Sequence, residues 1–260
     1  MLRSMYSGIS GLKNFQTKLD VIGNNIANVN TYGFKKGRTV FKDLYSQTVA
    51  GATGPGDNRG GVNPKQVGLG GQLATIDTLH TPGSTQFTGN TLDLAIEGDG
   101  FFLVGNADDP YYTRAGVFYL DQDGAIVDGD GRFLSGEQIL IPTEATSLSI
   151  GQNGQVSYVL DGTLTEGPVI NLYKFANPGG LEKAGGNLYR ESPNSGAPVE
   201  GVPGEAGGHG VIKSGSLEMS NVDLSEEFTE MIVAQRGFQA NTRIITTSDE
   251  ILQELVNLKR

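Results

Sequence analysis

Two histidines, His80 and His209, are the side chains best suited to move protons near neutral pH. Each sits in a Thr-, Gly- or Pro-rich stretch, and neither has a Ser–His–acid spacing around it. Both read as exposed loop histidines. The run DQDGAIVDGDG, Asp121 to Gly131, has the composition of a calcium loop. It lacks the fixed acid positions and closing Glu of an EF-hand, and hairpin turns explain its aspartates better. Glu97 and Asp99 offer the two carboxylates of a glycosidase, but Asp99 belongs to a turn and nothing positions Glu97. GLGG, Gly68 to Gly71, lacks the strand–turn–helix context of a dinucleotide fingerprint. Tyr111 and Tyr112 could stack on a sugar or base, yet paired aromatics in β segments usually serve a core. With no cysteine there is no thiolate nucleophile and no Cys-based metal site. These residues therefore predict no catalytic residue, no metal and no cofactor.

The 260-residue chain is long enough for one large or two small domains with a real core. Its net charge of −10, with nothing more basic than Lys35-Lys36-Gly37-Arg38, argues against a nucleic-acid partner. No apolar run approaches the roughly 18 residues that cross a bilayer, so membrane insertion is not expected. The start, MLRSMYSGISGLKNF, spaces its apolar residues out instead of massing them as a secretory signal does. The expectation is a cytosolic protein, or one exported without cleavage.

The elements that would position any site fall into three zones. In residues 1–49, Leu2, Met5, Ile9, Leu12, Phe15, Leu19, Ile22, Ile26 and Val29 follow one another at gaps of three or four, a helical stripe. The mean gap lies below 3.6, which favours a left-handed seam with a partner helix. At about 100° per residue, Asn24 and Asn28 fall opposite the stripe. Asn30-Thr31-Tyr32-Gly33 ends the helix, with Gly33 suited to a left-handed cap.

Residues 217–260 mirror that pattern. Leu224, Met231, Phe238, Ile245 and Leu252 recur every seventh position, and Phe228 and Val256 extend the face. Gln235, Thr242 and Asp249 form a parallel polar row, read as seam positions that fix register. Asp223 and Glu226 resemble a capping box, and Lys259-Arg260 suits a helix C-terminus. Gly237 weakens the helix by roughly 1 kcal/mol, so it should need partners.

Between them, short apolar runs alternate with turns at Gly98-Asp99-Gly100, Asp123-Gly124, Asp128 to Gly131, Asn153-Gly154 and Asp161-Gly162. The fold expected is α+β: a mainly antiparallel β domain inserted between terminal helices that pair as a coiled coil. Its division would be a helical part of 1–49 plus 217–260, a Gly-rich connector at 50–72 and a β-rich part at 73–216. The helices could pack on the β domain of an ordinary monomer. Alternatively they pair with each other and with copies of themselves. Helices of roughly 30 residues reach about 45 Å, longer than one face of such a domain needs.

SGLKNFQTKLDVIGNNIANVNTYGFKKGR, Ser10 to Arg38, closely resembles the N-terminal signature of bacterial flagellar rod and hook proteins. SLEMSNVDLSEEFTEMIVAQRGFQANTRIITTSDEILQELVNLKR, Ser216 to Arg260, resembles the matching C-terminal signature. TLDLAIEGDGFFLV and YYTRAGVFYLDQDGAIVDGDGRFL look like the start of the family's β domain. The resemblance implies terminal helices that form an inner tube around an axial channel, with the β domain outside. It implies a helical homopolymer that carries torque from rod to filament. Neighbouring rod and hook–filament junction proteins, a hook cap during assembly and the flagellar type III export apparatus are the implied partners. The location implied is the basal body or hook, extracellular after export without a cleaved signal.

MIVAQR, Met231 to Arg236, and the ending ILQELVNLKR look more like a hook, the torque-transmitting universal joint, which is the reading favoured here. GGLEKAGGNLYRESPNSGAP, Gly179 to Pro198, looks like a stretch shared with distal rods, and Gly-rich 50–71 departs from compact hooks. A distal rod drive shaft is therefore the alternative. A more distant one is an exported carbohydrate-binding or peptidoglycan-acting protein. By the resemblance, Leu19, Ile22, Ile26 and Val29 would pack against the C-terminal helix, and Leu12, Phe15, Leu224, Phe228, Met231, Gln235, Phe238, Ile245 and Leu252 would belong with them to the subunit interface and assembly surface. Asn24, Asn25 and Asn28 would face other subunits or the channel, and Asn30, Thr31, Gly33, Phe34 and Lys35 would form the turn leading outward.

Overall fold

The computed structural model describes residues 2–258 apart from 57–59, 107–108, 137 and 206. Lys259 and Arg260 lie outside the described residues. The order is helix α1 (Leu2–Ala27), a run of strands, and helix α2 (Leu224–Asn257). Two compact units divide the chain: 1–26 with 37–77 and 223–260, and 27–36 with 78–222. The Gly-rich stretch thus belongs with the helices. Its strand Lys65–Gly68 pairs antiparallel with Ser46–Ala50, which leads into it.

In the helical unit, the apolar stripe predicts the length of α1 well, but the helix stops at Ala27. Val29 therefore lies in the following turn and not on the helix. That turn closes at Gly33, whose φ of 69° only glycine adopts freely. Asp223 caps α2, its carboxylate accepting from the backbone N–H of Ser225 at 2.8 Å and, more weakly, of Glu226 at 3.4 Å. Strands Gly37–Asp43 and Gly71–Thr78 pair beside the helices.

In the β unit every strand pairing is antiparallel. A four-stranded sheet runs Glu182–Gly185, Leu188–Arg190, Asp109–Thr113, Phe102–Asn106, and Ser147–Ile150, Gln155–Leu160 and Thr163–Val169 form a meander. The turns at Asp123-Gly124, Asn153-Gly154 and Asp161-Gly162 each close a hairpin, as their composition predicts. Gly98-Asp99-Gly100 does not. Leu94–Glu97 pairs instead with Val211–Ser214, far along the chain. Residues 94–96 are all buried, so this strand of a two-stranded sheet is covered on both faces and has no alternation to read. The period of two appears around residue 102: Phe102 and Val104 enter one core with Phe118 and Ile212, while Phe101 and Leu103 enter a second with Tyr112, Phe175 and Tyr189.

Candidate assembly interface

The residues singled out for chemistry are occupied structurally. Glu97 pairs with Lys213 at 3.2 Å and Asp99 with Lys174 at 3.4 Å. Asp128 accepts the backbone N–H groups of Asp130 and Arg132, both at 2.9 Å, which is turn chemistry. Tyr112 is buried, and Tyr111 has the Arg190 and Arg132 guanidiniums 5.1 and 5.7 Å from its ring centre. Among the described residues no three His, Asp or Glu converge as a metal set.

The histidines correct the sequence reading: His209 is buried, and His80, half-buried, has both ring nitrogens shielded from solvent. His209 Nε2 lies 3.1 Å from the Val199 carbonyl. His80 stands edge-on to Phe101 and Tyr189, and neither ring nitrogen finds a partner. Burial, then the positive charges of Lys35, Arg114 and Lys183, lowers its pKa to about 4.

The helical unit holds a different kind of site, made of one long seam. α1 and α2 run antiparallel. A Cβ on Gly237 would lie 2.4 Å from the Phe15 ring, one on Gly11 would lie 2.9 Å from the Asn241 amide, and one on Gly8 would lie 3.4 Å from Ile245. Lys18 pairs with Glu230. Small residues thus let the backbones approach where Phe15 and Asn241 insert. Along α2 two rows face the seam: the apolar row Met231, Phe238, Ile245, Leu252, and a second row Glu227, Ala234, Asn241, Ser248. This corrects the polar row read from the sequence. Gln235, Thr242 and Asp249 are exposed, and the true second row lies one residue earlier. A row of Ala, Asn, Ser and Glu carries no hydropathy signal, which is why the sequence misplaced it.

Asn25 is the second correction. It is buried, 2% exposed, inside its own chain and does not face outward. Its Oδ1 accepts from Gly37 N–H at 2.9 Å, and its Nδ2 donates to Gly37 carbonyl at 2.9 Å and to Glu227 at 3.2 Å. The amide acts as a strand-like partner for Gly37 and fastens the return of the chain to α2. Asn24 and Asn30 are exposed, whereas Asn28 is half-buried and accepts the Thr31 hydroxyl at 3.1 Å. Lys35 is buried, and Phe34 has the Lys183 ammonium 5.4 Å from its ring centre.

The seam is only half covered. Of the apolar stripe on α1, Met5, Leu12, Phe15, Leu19 and Ile26 are partly exposed and Ile22 alone is fully buried. On α2 the fully buried residues are Glu227, Ala234 and Ser248, none of them large and apolar. Leu224, Phe228 and Phe238 remain 39, 51 and 37% exposed. No helix among the described residues is long and apolar enough to cross a membrane.

Comparison with known proteins agrees with this anatomy. Residues 5–35 match the family "Flagella basal body rod protein", 95–158 match "Flagellar hook protein FlgE/F/G D1 domain", and 213–258 match "Flagellar basal body rod FlgEFG protein C-terminal". The chain is 63% identical to the flagellar basal-body rod protein FlgG of Bacillus subtilis, over the whole of both chains. FlgG of Agrobacterium fabrum is 39% identical, with 96% of this chain and 97% of that one covered. The flagellar hook protein FlgE of Borreliella burgdorferi is 32% identical over an alignment of 442 positions spanning both chains. The chain, whose terminal helices pair in a half-open seam and bracket an antiparallel β insert in the sequence, thus belongs to the flagellar rod and hook protein family.

Proposed function

We propose that this chain is a rod subunit of the flagellar basal body, a non-catalytic protein that polymerises into a tube and transmits torque. The observation that carries self-assembly is the half-covered seam. Nine large apolar side chains of α2 stay exposed in the isolated chain. Each fully buried Leu, Ile, Val or Phe stabilises by about 1.5–3 kcal/mol, so neighbours that cover these positions supply a large driving force. The helices would line the axial channel, with the β unit outside. The chain would reach its place through the flagellar export apparatus, and its neighbours would be other rod proteins and the hook.

The rod, second in the sequence reading, replaces the hook as the main one. Two observations support it. Identity to a rod protein is 63% without a length mismatch, whereas the hook protein aligns over 442 positions. The Gly-rich stretch also folds back on the strand before it as a two-stranded ribbon, with Tyr45, Val49, Val62 and Val67 exposed. A hook bends by subunits sliding past one another; a ribbon that must be covered adds a contact that opposes sliding. The purified chain, concentrated in a precipitating salt, should form straight tubes by negative-stain electron microscopy. Curved tubes would return the reading to the hook. Dispersed particles at every salt and concentration would overturn self-assembly.

A further inference from the structure

The two units differ in charge. The helical unit, 1–26 with 37–77 and 223–260, holds eleven basic and eleven acidic residues. The β unit, 27–36 with 78–222, holds eight basic and eighteen acidic ones. The whole net charge of −10 therefore sits on the β unit.

Side-chain pairing sharpens the imbalance, because seven of the eight cations of the β unit are engaged within it. Lys35 and Arg114 are buried around Glu218. Arg132 is held by Asp128 and Asp130, Lys174 by Asp99, Arg190 by Asp109 and Lys213 by Glu97. The Lys183 ammonium lies over the Phe34 ring. In contrast, Asp121, Asp123, Glu144, Glu166, Glu182 and Glu205 are exposed and have no ion-pair partner among the described residues. Two β units brought side by side would set carboxylate against carboxylate, with almost no free cation to answer it.

We infer that the β unit is an electrostatic brake on self-assembly: copies stay apart at low ionic strength, and polymer forms once cations screen these carboxylates. This deepens the self-assembly reading and rests on it. Burial of apolar side chains attracts only at contact, whereas charge acts over the screening length. That length is about 30 Å at 0.01 M salt and about 10 Å at 0.1 M. At the lower salt one β unit meets most of the charge of its neighbour. At the higher salt only the residues that face each other count. A net charge of this size, confined to one unit, keeps a chain with exposed apolar side chains dispersed.

Light scattering of the full chain at one concentration would be followed as ionic strength rises, in sodium chloride and in sodium sulfate, with tubes confirmed by negative-stain electron microscopy. A variant joining Asp123→Asn, Glu144→Gln, Glu166→Gln, Glu182→Gln and Glu205→Gln halves the net charge. These five side chains are exposed and make no hydrogen bond or ion pair among the described residues, so the fold is kept, which a thermal melt checks. The expected result is a parent onset at the same ionic strength in both salts, and a variant onset at least twofold lower. A variant that needs as much salt as the parent, or more, overturns the brake and leaves self-assembly standing. Parent tubes already present at the lowest salt do the same. So does a parent onset in sulfate alone, because sulfate acts by strengthening apolar burial. No tubes from either protein in either salt overturns both readings.

Discussion

Lys35 Nζ lies 2.6 Å from Glu218 Oε1, across 183 residues of chain, with the two side chains 0 and 1% exposed. Lys35 also donates to the Thr81 carbonyl at 2.8 Å, and Glu218 also accepts from Gly83 N–H at 2.9 Å and from Arg114 at 3.3 Å. One residue after Lys35, the Lys36 N–H donates to Asn221, whose amide donates to the Leu79 carbonyl. The three segments tied here are among the four that leave or enter the β unit, those at 36/37, 77/78 and 222/223. The network thus fastens these three to one another within that unit. Burial lowers the Lys35 pKa and Glu218 opposes the shift, so the pair is held by mutual charge in a site that water does not reach.

Removing the acid should cost more than removing the lysine. Glu218→Leu leaves Lys35, Arg114 and the Gly83 N–H without their shared acceptor, and a loss of about 3–5 kcal/mol is expected for stranding buried charge. Lys35→Met leaves Glu218 still paired with Arg114 and Gly83 and should lose less. Urea midpoints of the two variants at neutral pH check the order. A smaller loss for Glu218→Leu would show that Lys35, not the acid, is the hub.

His80 makes the β unit acid-sensitive well above the carboxylate range. Its pKa falls from 6.5 to about 4 on folding, so between those values the unfolded chain binds more protons than the folded one. Stability from this group is fully present above pH 6.5 and drops as pH falls towards 4, by at most about 3 kcal/mol. The groups near it are Lys35, Arg114 and Lys183, all positive, with Glu218 engaged by two of them. His80→Phe keeps the edge-on contacts with Phe101 and Tyr189 and removes the proton site. Its denaturation midpoint should be flatter than the parent's between pH 6.5 and 4.

What the sequence made legible follows from where its signals come from. The stripe from Met5 to Ile26 and the seventh-residue row of Met231 to Leu252 are apolar and periodic, so both helices could be drawn in advance. Hairpins at Asn153-Gly154 and Asp161-Gly162 could be drawn because turn chemistry is local. The second seam row, the Asn25 clasp and the His80 site could not. Ala234 and Ser248 are silent in hydropathy, and Asn25 acts through the backbone of Gly37. The burial of His80 depends on Phe101 and Tyr189, which arrive from distant strands.

Adjacent asparagines should separate folding from assembly. Asn25→Leu strands Gly37 N–H and carbonyl and the Glu227 contact, at about 1–3 kcal/mol for each buried group left unmade. The melting temperature of the monomer should fall. Asn24 is exposed, so Asn24→Leu should change monomer stability by less than about 1 kcal/mol and act, if anywhere, on polymer formation. Light-scattering assembly curves beside thermal melts check both. A large drop in monomer stability for Asn24→Leu would place that side chain in the fold and not at a subunit contact.

The glycines of the seam predict opposite outcomes for one chemical change. Gly→Ala inside an exposed helix gains about 1 kcal/mol of propensity. At Gly237 the new methyl would meet three atoms of the Phe15 ring at 2.4–2.8 Å, and a ring wedged in a helix seam cannot shift without parting the helices. Overpacking of this kind costs about 1–3 kcal/mol, so the net effect should be destabilising. At Gly11 the methyl meets only the amide end of Asn241, a terminal group free to rotate at the loss of its bond to the Gly237 carbonyl. That loss is about 1 kcal/mol and nearly cancels the propensity gain. Gly237→Ala should therefore lower helicity and melting temperature while Gly11→Ala leaves them nearly unchanged. Phe15→Leu, which frees the space a ring occupies, should rescue part of the Gly237→Ala loss in the double variant. Additive losses would place the Gly237 methyl against something other than Phe15 and so displace the register in which the two helices pair.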